Sequence, residues 1–551
     1  LTLRLSRTTG YDPAYPSAMK RIYSTVLTII LATVLSAGAQ GEKVPLSILG
    51  VHGDPKPAAI QKPNAKVADW SVFGPAQEFQ GSPLPHIGRN GLFDVRPSEE
   101  NLIAILPNGE DSFSARIKTL MKARASVRIQ ALTFKGDESG LYIAEILKYK
   151  KAQGFDVRVI VDAFSNLDQQ TKRMYFDLQQ HGIDVEGYET FGLEWLNEIP
   201  LDGAHTLNAS LDLNKRFHEK MWIIDGETDH GVAILGGLNI ANEYFRVDPS
   251  NPSQYWRDQD VIVRGAIVKD MVTAFDRNHQ YAQKIKEDRG IANTNRYWDT
   301  TRDLLDRFGK IEMDHKTEPR LKKRVAHMAE RLPQLKFEQA RSRFFQNRPR
   351  FEESYITQAY LKLIRDAKEE ILIVNAYFIP SAKFIAAIKD AARRCVRVII
   401  LTNSPETNDL PDLTIVGRDY YKQMMDVNLE PAVRNCPCED PGIQIWEWQG
   451  RREGEKDRSQ GTIHAKYAVF DRVVSLVGSH NLDPRSEKLN SETAIIYESG
   501  PLSKRLARLF YASDLVFSKQ ISTEDAKAFR KPSEVLHWLR KKFVSLFEEY
   551  F

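Results

Sequence analysis

Phe217-His218-Glu219-Lys220-Met221-Trp222-Ile223-Ile224-Asp225 and Ile463-His464-Ala465-Lys466-Tyr467-Ala468-Val469-Phe470-Asp471 are one pattern written twice, H-x-K-x4-D. A single match arises by chance on the order of once in twenty such chains, given residue frequencies of a few per cent. Here each copy is also followed by a Gly-rich turn that ends in Asn: Gly236-Gly237-Leu238-Asn239 and Gly478-Ser479-His480-Asn481. Chance has no reason to repeat the turn as well as the motif.

The flanking sequence repeats too. Before the first copy, Ser112 to Arg124 has helical period, Ser126 to Phe134 reads as a strand, Leu141 to Gln153 as a helix and Asp156 to Asp162 as an apolar strand. Before the second, Tyr355 to Ala367, Glu370 to Phe378, Ala382 to Arg394 and Val396 to Thr402 follow the same order. Strand, helix, strand at this spacing implies parallel β-α-β units under covering helices. The expectation is an α/β chain of two similar domains, 102–295 and 344–551, related by a pseudo-twofold axis with the active site at their interface. A charged, helical connection, 296–343, joins them, and an irregular Pro- and Gly-rich lead-in, 40–101, precedes them.

The chemistry follows from residue type and spacing. Alternate residues of an extended segment share a face, so His and Lys at i and i+2 point the same way. A Lys brings a positive charge and three donors to a phosphate oxygen, Asn a neutral donor, and glycine lets the backbone come close. One neutral imidazole can attack phosphorus while a second, protonated, donates to the leaving oxygen. Two facing copies would gather two His, two Lys and two Asn around one phosphodiester.

On these residues the chain resembles the phospholipase D superfamily, the two-motif HKD enzymes, from about Ser112 onward, and is most similar to bacterial cardiolipin synthases. Leu401-Thr402-Asn403-Ser404-Pro405 with Asn408-Asp409, the stretch Gly478 to Ser486, Leu489-Asn490-Ser491-Glu492 and Gly236 to Phe245 carry the likeness. The resemblance implies mixed sheets flanked by helices, and phosphatidyl transfer through a covalent phosphohistidine. His218 would be the nucleophile and His464 the acid that becomes the base, although some members reverse the pair. Lys220, Lys466, Asn239 and Asn481 would hold the phosphate. A downstream carboxylate would orient each imidazole, Asp258 in the first half and Glu492 in the second. Asp225 and Asp471 would turn the strand ends and anchor local donors. No metal or cofactor is expected, because Lys and imidazole supply the charge. Phospholipids, phosphatidylglycerol among them, are the implied substrates, with peripheral membrane contact; a monomer can be complete. Hydrolysis of the same lipids is the alternative, and a metal-independent nuclease a more distant one. Three departures stand out: the first Asp-to-Gly loop has ten residues against six in the second, Gly237 replaces a usual Ser, and Cys395 stands where Gly often precedes the strand.

The 551 residues are 42% hydrophobic and 27% charged, which excludes collagen, a disulfide scaffold, wholesale disorder and a multi-span membrane protein. The net charge is +4, with Arg4, Arg7, Lys20 and Arg21 against Asp12 alone in residues 1–39. The rest is near neutral, which argues against a coat for nucleic acid. Lys20-Arg21, an apolar run from Ile22 to Leu35 and Ser36-Ala37-Gly38-Ala39 have the three parts of a secretory signal, with cleavage expected after Ala39 and an exported, periplasmic or secreted product. Cys395 reads as a buried thiol beside an apolar strand, and Cys436-Pro437-Cys438 as a candidate local bridge. Leu536, Leu539, Phe543, Leu546, Phe547 and Tyr550 form a helical stripe opposite Arg540, Lys541 and Lys542, suited to packing or to a membrane surface.

Overall fold

A computed structural model describes residues 101–163, 165–166, 168–188, 216–288, 318–351 and 353–529. The apolar run of 22–35, most of the lead-in and the C-terminal stripe lie outside the described residues.

Two mixed sheets carry the chain. The first is built from β1 (Leu102–Leu106), β2 (Ser126–Ala131), β3 (Asp156–Asp162), β4 (Asp184–Tyr188), β5 (Met221–Ile224), β6 (Val232–Gly236), β7 (Asp260–Arg264) and β8 (Glu338–Gln339), in the order β4-β3-β2-β5-β6-β7-β1-β8. The second is built from β9 (Arg341–Asn347), β10 (Glu370–Asn375), β11 (Arg397–Asn403), β12 (Ile443–Trp448), β13 (Lys466–Phe470), β14 (Val474–Gly478), β15 (Glu492–Glu498) and β16 (Ser518–Gln520), in the order β16-β12-β11-β10-β13-β14-β15-β9. Seven strands of each sheet match in order; only the added edges, β8 and β16, differ. β2, β3 and β4 run parallel, as do β10, β11 and β12, and β5 and β13 then pair antiparallel beside them.

The helices include α1 (Gly109–Met121), α2 (Glu138–Ala152), α3 (Gln169–Gln180), α4 (Ile267–Asp288), α5 (Pro319–Glu330), α6 (Tyr355–Asp366), α7 (Ala382–Arg393), α8 (Pro411–Met425) and α9 (Gly500–Leu509), of which α1, α2, α6 and α7 fall where the repeated periodicity puts them. Asn108, Asp137 and Asp168 cap the first three by accepting from Asp111, Gly140 and Thr171 backbone N–H groups. The connection between the halves is described from residue 318 onward. Its described part is α5 followed by strand: β8 closes the first sheet and β9, starting at Arg341, already opens the second.

Period-two alternation decides the layering. On β5, Trp222 and Ile224 face the helices while Met221 and Ile223 face the other sheet; on β13, Ala468 and Phe470 face helices while Tyr467 and Val469 face the first sheet. The two sheets therefore share a central core, with Ile103, Leu235 and Val261 from one side and Leu372, Val477 and Ile495 from the other, all 0% exposed. Each such side chain contributes roughly 1.5–3 kcal/mol on burial. The result is helix, sheet, sheet, helix, with the strand ends of both halves brought together at one seam.

The cysteines depart from expectation. Cys395 is not a thiol and no bridge forms within Cys436-Pro437-Cys438: Cys395 and Cys436 are joined, with Cα atoms 5.4 Å apart, and Cys438 is free. Cys395 occupies, at φ 65°, the left-handed position after α7 that Gly154 fills, at φ 88°, after α2. That turn presents Cys395 toward the loop after residues 431–434, where Cys436 waits. The local alternative would have needed a bridge across a single proline.

Candidate active site

The two motif segments enter the seam just before their strands. His218 precedes β5 and His464 precedes β13, so each lies in an extended lead-in and not within its sheet. Each lead-in is hydrogen-bonded to the opposite half. His218 N–H donates to Ser491 O (3.0 Å) and Ser491 N–H to Arg216 O (3.0 Å); His464 N–H donates to Arg257 O (2.7 Å) and Arg257 N–H to Thr462 O (2.8 Å). Ser491 directly precedes Glu492, and Arg257 directly precedes Asp258.

The carboxylates are therefore crossed. His218 Nδ1 lies 2.8 Å from Glu492 of the second half, and His464 Nδ1 lies 2.7 Å from Asp258 of the first. Each Nδ1–H donates to its carboxylate, which leaves each Nε2 as the reactive lone pair. The imidazole centroids are 6.4 Å apart with an interplanar angle of 65°. The carboxylates are themselves held: Ser479 and Ser486 hydroxyls donate to the two oxygens of Glu492 (2.5 and 2.6 Å), and Gln259 N–H donates to Asp258 Oδ1 (2.7 Å). Gly237 takes the place of Ser479 because a Cβ there would sit 2.1 Å from Asp258 Oδ1. The shorter Asp and the missing side chain thus go together.

Lys220 and Lys466 each spend one donor on the carbonyl two residues back, Lys220 on His218 O at 2.8 Å and Lys466 on His464 O, and keep the others for a ligand. Both ammonium groups are almost fully buried. Burial brings Lys220 down to about 7, with Lys466 adding to the fall and Glu492 opposing it. Burial likewise brings Lys466 down to about 8, against the pull of Asp258. Burial and the two lysines hold both imidazoles well below the usual histidine range, which favours the neutral rings.

The asparagines are not equivalent. Asn239 is engaged at both ends, accepting from Thr133 N–H (3.2 Å) and donating to the Tyr244 hydroxyl (2.9 Å). Asn481 is buried with its Oδ1 unpartnered. Asp225 and Asp471 stay away from the imidazoles. Each sits at positive φ, 51° and 52°, and caps the neighbouring strand: Asp225 takes N–H bonds from Arg124, Ala125 and Ser126, and Asp471 from Lys368, Glu369 and Glu370.

Two buried networks brace this arrangement. Glu219 points to the face opposite His218 and accepts from Gln130, Asn278 and Gln346 side-chain amides at 2.9, 2.9 and 2.8 Å; burial pushes its carboxyl up to about 8. Gln346, on β9, pairs with Thr493 of β15, next to Glu492, so Glu219 ties the first motif to the neighbour of the strand that carries its partner. Beside Asp258, Arg257 makes a two-pronged ion pair with Asp514 (2.7 and 3.0 Å), which also accepts from the Tyr467 hydroxyl (2.6 Å). Asp514 ends a π-helical turn, Phe510–Asp514, that aims it inward. Glu219 was signalled by being charged where the second copy has Ala465; Asp514 carries no signal in the sequence.

Among the described residues, Asp184, Glu186 and His279 offer ligand atoms within 4.8 Å of one another. His279 already binds Asp184 at 2.7 Å and Lys286 pairs with Glu186, so each of these side chains already has a protein partner.

This geometry offers two lone pairs aimed at one small space, each backed by a carboxylate, with two ammonium groups beside it. That is a site for in-line displacement at an anionic phosphorus centre. Residues 117–276 and 360–513 match the family model described as cardiolipin synthase, PLD-like domain. Among relatives, the probable cardiolipin synthase YwiE of Bacillus subtilis is 24% identical over 436 residues, spanning 78% of this chain and 70% of that one. The major cardiolipin synthase ClsA of the same organism is 26% identical over 430 residues, spanning 78% and 72%. A cardiolipin synthase of Listeria monocytogenes is 27% identical over 430 residues, spanning 78% and 71%. The solved phosphatidylserine synthase of Haemophilus influenzae Rd KW20 shares the fold, with a TM-score of 0.53 at 15% identity over 83% of this chain and 95% of that one. With a matching domain in each half and the two motifs meeting at the seam, the chain belongs to the cardiolipin synthase family of PLD-like proteins.

Proposed function

We propose that the protein is a phosphatidyltransferase of cardiolipin synthase type that moves a phosphatidyl group between alcohols by two displacements. The crossed pairing of His218 with Glu492 and His464 with Asp258, 6.4 Å apart, carries this reading. His218 Nε2 attacks phosphorus, the bond to the headgroup oxygen breaks, and His464, protonated once the anionic substrate has entered, gives its proton to the leaving alcohol. His464, neutral again, takes the proton of an acceptor hydroxyl, whose oxygen attacks phosphorus and breaks the bond to His218. Lys220 and Lys466 neutralise the phosphoryl oxygens, with Asn481 beside them. Each carboxylate stabilises the imidazolium opposite it. An acceptor lipid such as phosphatidylglycerol gives cardiolipin.

Export to an oxidising compartment is part of the proposal. The basic start, apolar run and small-residue end of 19–39 support it, and so does a disulfide that closes a long loop, since such bridges persist outside reducing compartments. The basic and apolar stripe of 535–551 supports peripheral contact with a membrane.

Incubation of the purified protein with phosphatidylglycerol vesicles, followed by lipid mass spectrometry, tests the reaction. Cardiolipin and free glycerol are expected, and both are lost in His218→Ala and His464→Ala. Phosphatidic acid as the sole product would make the enzyme a hydrolase; unchanged turnover in either variant would remove the catalytic assignment.

A further inference from the structure

One buried imidazole beside the cleft takes no part in the two displacements. His480 is 0% exposed and stands in Gly478-Ser479-His480-Asn481 where the first half, in Gly236-Gly237-Leu238-Asn239, has an apolar residue. Burying a polar ring costs free energy that Leu does not. His480 Nε2 lies 3.3 Å from the Thr357 hydroxyl oxygen, near the start of α6. Burial brings this imidazole down to about 4 against the pull of Glu492, with His218 and Lys383 adding to the fall, so the contact is one between neutral groups.

The repeat shows what this contact replaces. Pairing of β6 with β7 sets Gly236 against Asp260, and pairing of β14 with β15 sets Gly478 against Ala494, so Asp260 and Ala494 are equivalent. In the first half Asp260 links the leading helix to the Gly-rich turn. Its Oδ2 accepts from the Ser112 hydroxyl, near the start of α1, at 2.6 Å, and its Oδ1 from Leu238 N–H at 3.4 Å. Ala494 has no polar side chain to do the same. The second half makes the link from the turn itself, His480 to Thr357. Asp with Leu in one half, and Ala with His in the other, each fasten a Gly-rich turn to a hydroxyl at the start of the leading helix.

The fastened turn serves Glu492. Ser479, directly before His480, donates its hydroxyl to Glu492 at 2.5 Å. Asn481, directly after, donates its N–H to the Ser486 hydroxyl oxygen at 3.1 Å, and Ser486 donates to the other oxygen of Glu492 at 2.6 Å. The helix end is itself fixed, because Asn347, opposite Glu492 across β9 and β15, accepts from Ile356 N–H at 2.7 Å.

We propose that His480 is a positioning residue for the first displacement: through Thr357 it fixes the turn whose hydroxyls hold Glu492 against His218. This rests on the phosphatidyl-transfer reading and the crossed pairing above. Glu492 serves His218 and Asp258 serves His464, so a loosened turn slows attack on the donor lipid and spares breakdown of the phosphoenzyme.

A phosphatidyl donor with a p-nitrophenyl leaving group separates the two steps in the full chain. The nitrophenol burst reads the attack, and loss of phosphohistidine during a chase with phosphatidylglycerol reads the breakdown. His480→Leu and Thr357→Val are each expected to slow the burst about tenfold, the size of one neutral hydrogen bond. The double variant is expected to match the single ones within about threefold, because all three lose the same bond. Breakdown is expected to stay within about twofold of wild type in all three. His480→Gln, whose amide can still meet the Thr357 hydroxyl, is expected to restore the burst to within about threefold. Thr357→Val keeps the side-chain shape, so it carries the test if His480→Leu does not fold. An unchanged burst in Thr357→Val, losses that multiply in the double variant, or equal slowing of both steps overturns the positioning role and leaves the transfer reading standing. A wild type that forms no phosphohistidine from this donor removes the transfer reading, and the positioning role with it.

Discussion

Replacing Asp258 by Asn should stop the reaction at a different step from replacing Glu492 by Gln, and each loss should appear at the imidazole of the opposite half. Each imidazole donates to its carboxylate at 2.7 to 2.8 Å, and both carboxylates are buried. Two unit charges about 4 Å apart interact by about 4 kcal/mol at an effective dielectric constant of 20. An amide keeps the shape and removes that attraction from the imidazolium. At 1.36 kcal/mol per decade the expected loss is roughly a thousandfold in turnover. With a phosphatidyl donor that carries a p-nitrophenyl leaving group, Asp258→Asn leaves His218 able to attack but deprives His464 of its role as base. Phosphohistidine at residue 218 should therefore accumulate, visible as a nitrophenol burst and as a phosphorylated peptide by mass spectrometry under alkaline handling. Glu492→Gln should slow the attack itself, with no burst and no labelled peptide. The opposite pattern, a stalled phosphoenzyme in Glu492→Gln and none in Asp258→Asn, would falsify the crossed assignment, and losses under tenfold in both would refute the electrostatic account.

Other outcomes follow from the same geometry. Arg257→Met strands the fully buried Asp514 carboxylate and should destabilise the protein by about 3–5 kcal/mol in urea, while Arg257→Met with Asp514→Leu should recover much of the loss. Equal stability of single and double variants would show that the pair is not the brace. Raising the pH removes positive charge from Lys220, at about 7, and from Lys466, at about 8, so kcat/KM should fall through that interval. A bound phosphodiester favours the charged lysines, so the corresponding limb of kcat should lie at higher pH; coincident limbs would contradict this. Cys395→Ala with Cys436→Ala opens a loop with sequence separation 41 and should cost about 4 kcal/mol in a denaturant titration, with activity retained below the transition.

Much of this architecture is legible along the chain. A doubled strand-helix-strand pattern is a local property, set by period and punctuation, and Ser126, Asp156, Glu370 and Ala382 begin elements as their sequence indicates. The proposed reacting groups are legible for a different reason. His218, Lys220, His464 and Lys466 are polar residues leading into strands that are otherwise apolar, and the same four-part pattern occurs twice. Glu492 and Asp258 can be named from their downstream position, but chain order sets each beside the histidine of its own half, and the structure corrects this by pairing each with the histidine of the other.

The sequence by itself determined the two-domain α/β class, the doubled motif and the candidates for the reacting groups, since period, spacing and residue type are written in the order of the chain. Only the tertiary structure decided which partners they take. Ser491 and Arg257 bridge to the opposite lead-ins and so cross the carboxylates, and Asp514 closes on Arg257 from a distant turn. Such pairings come from packing two sheets face to face. They depend on distances across the seam, which the spacing of residues along either half does not contain.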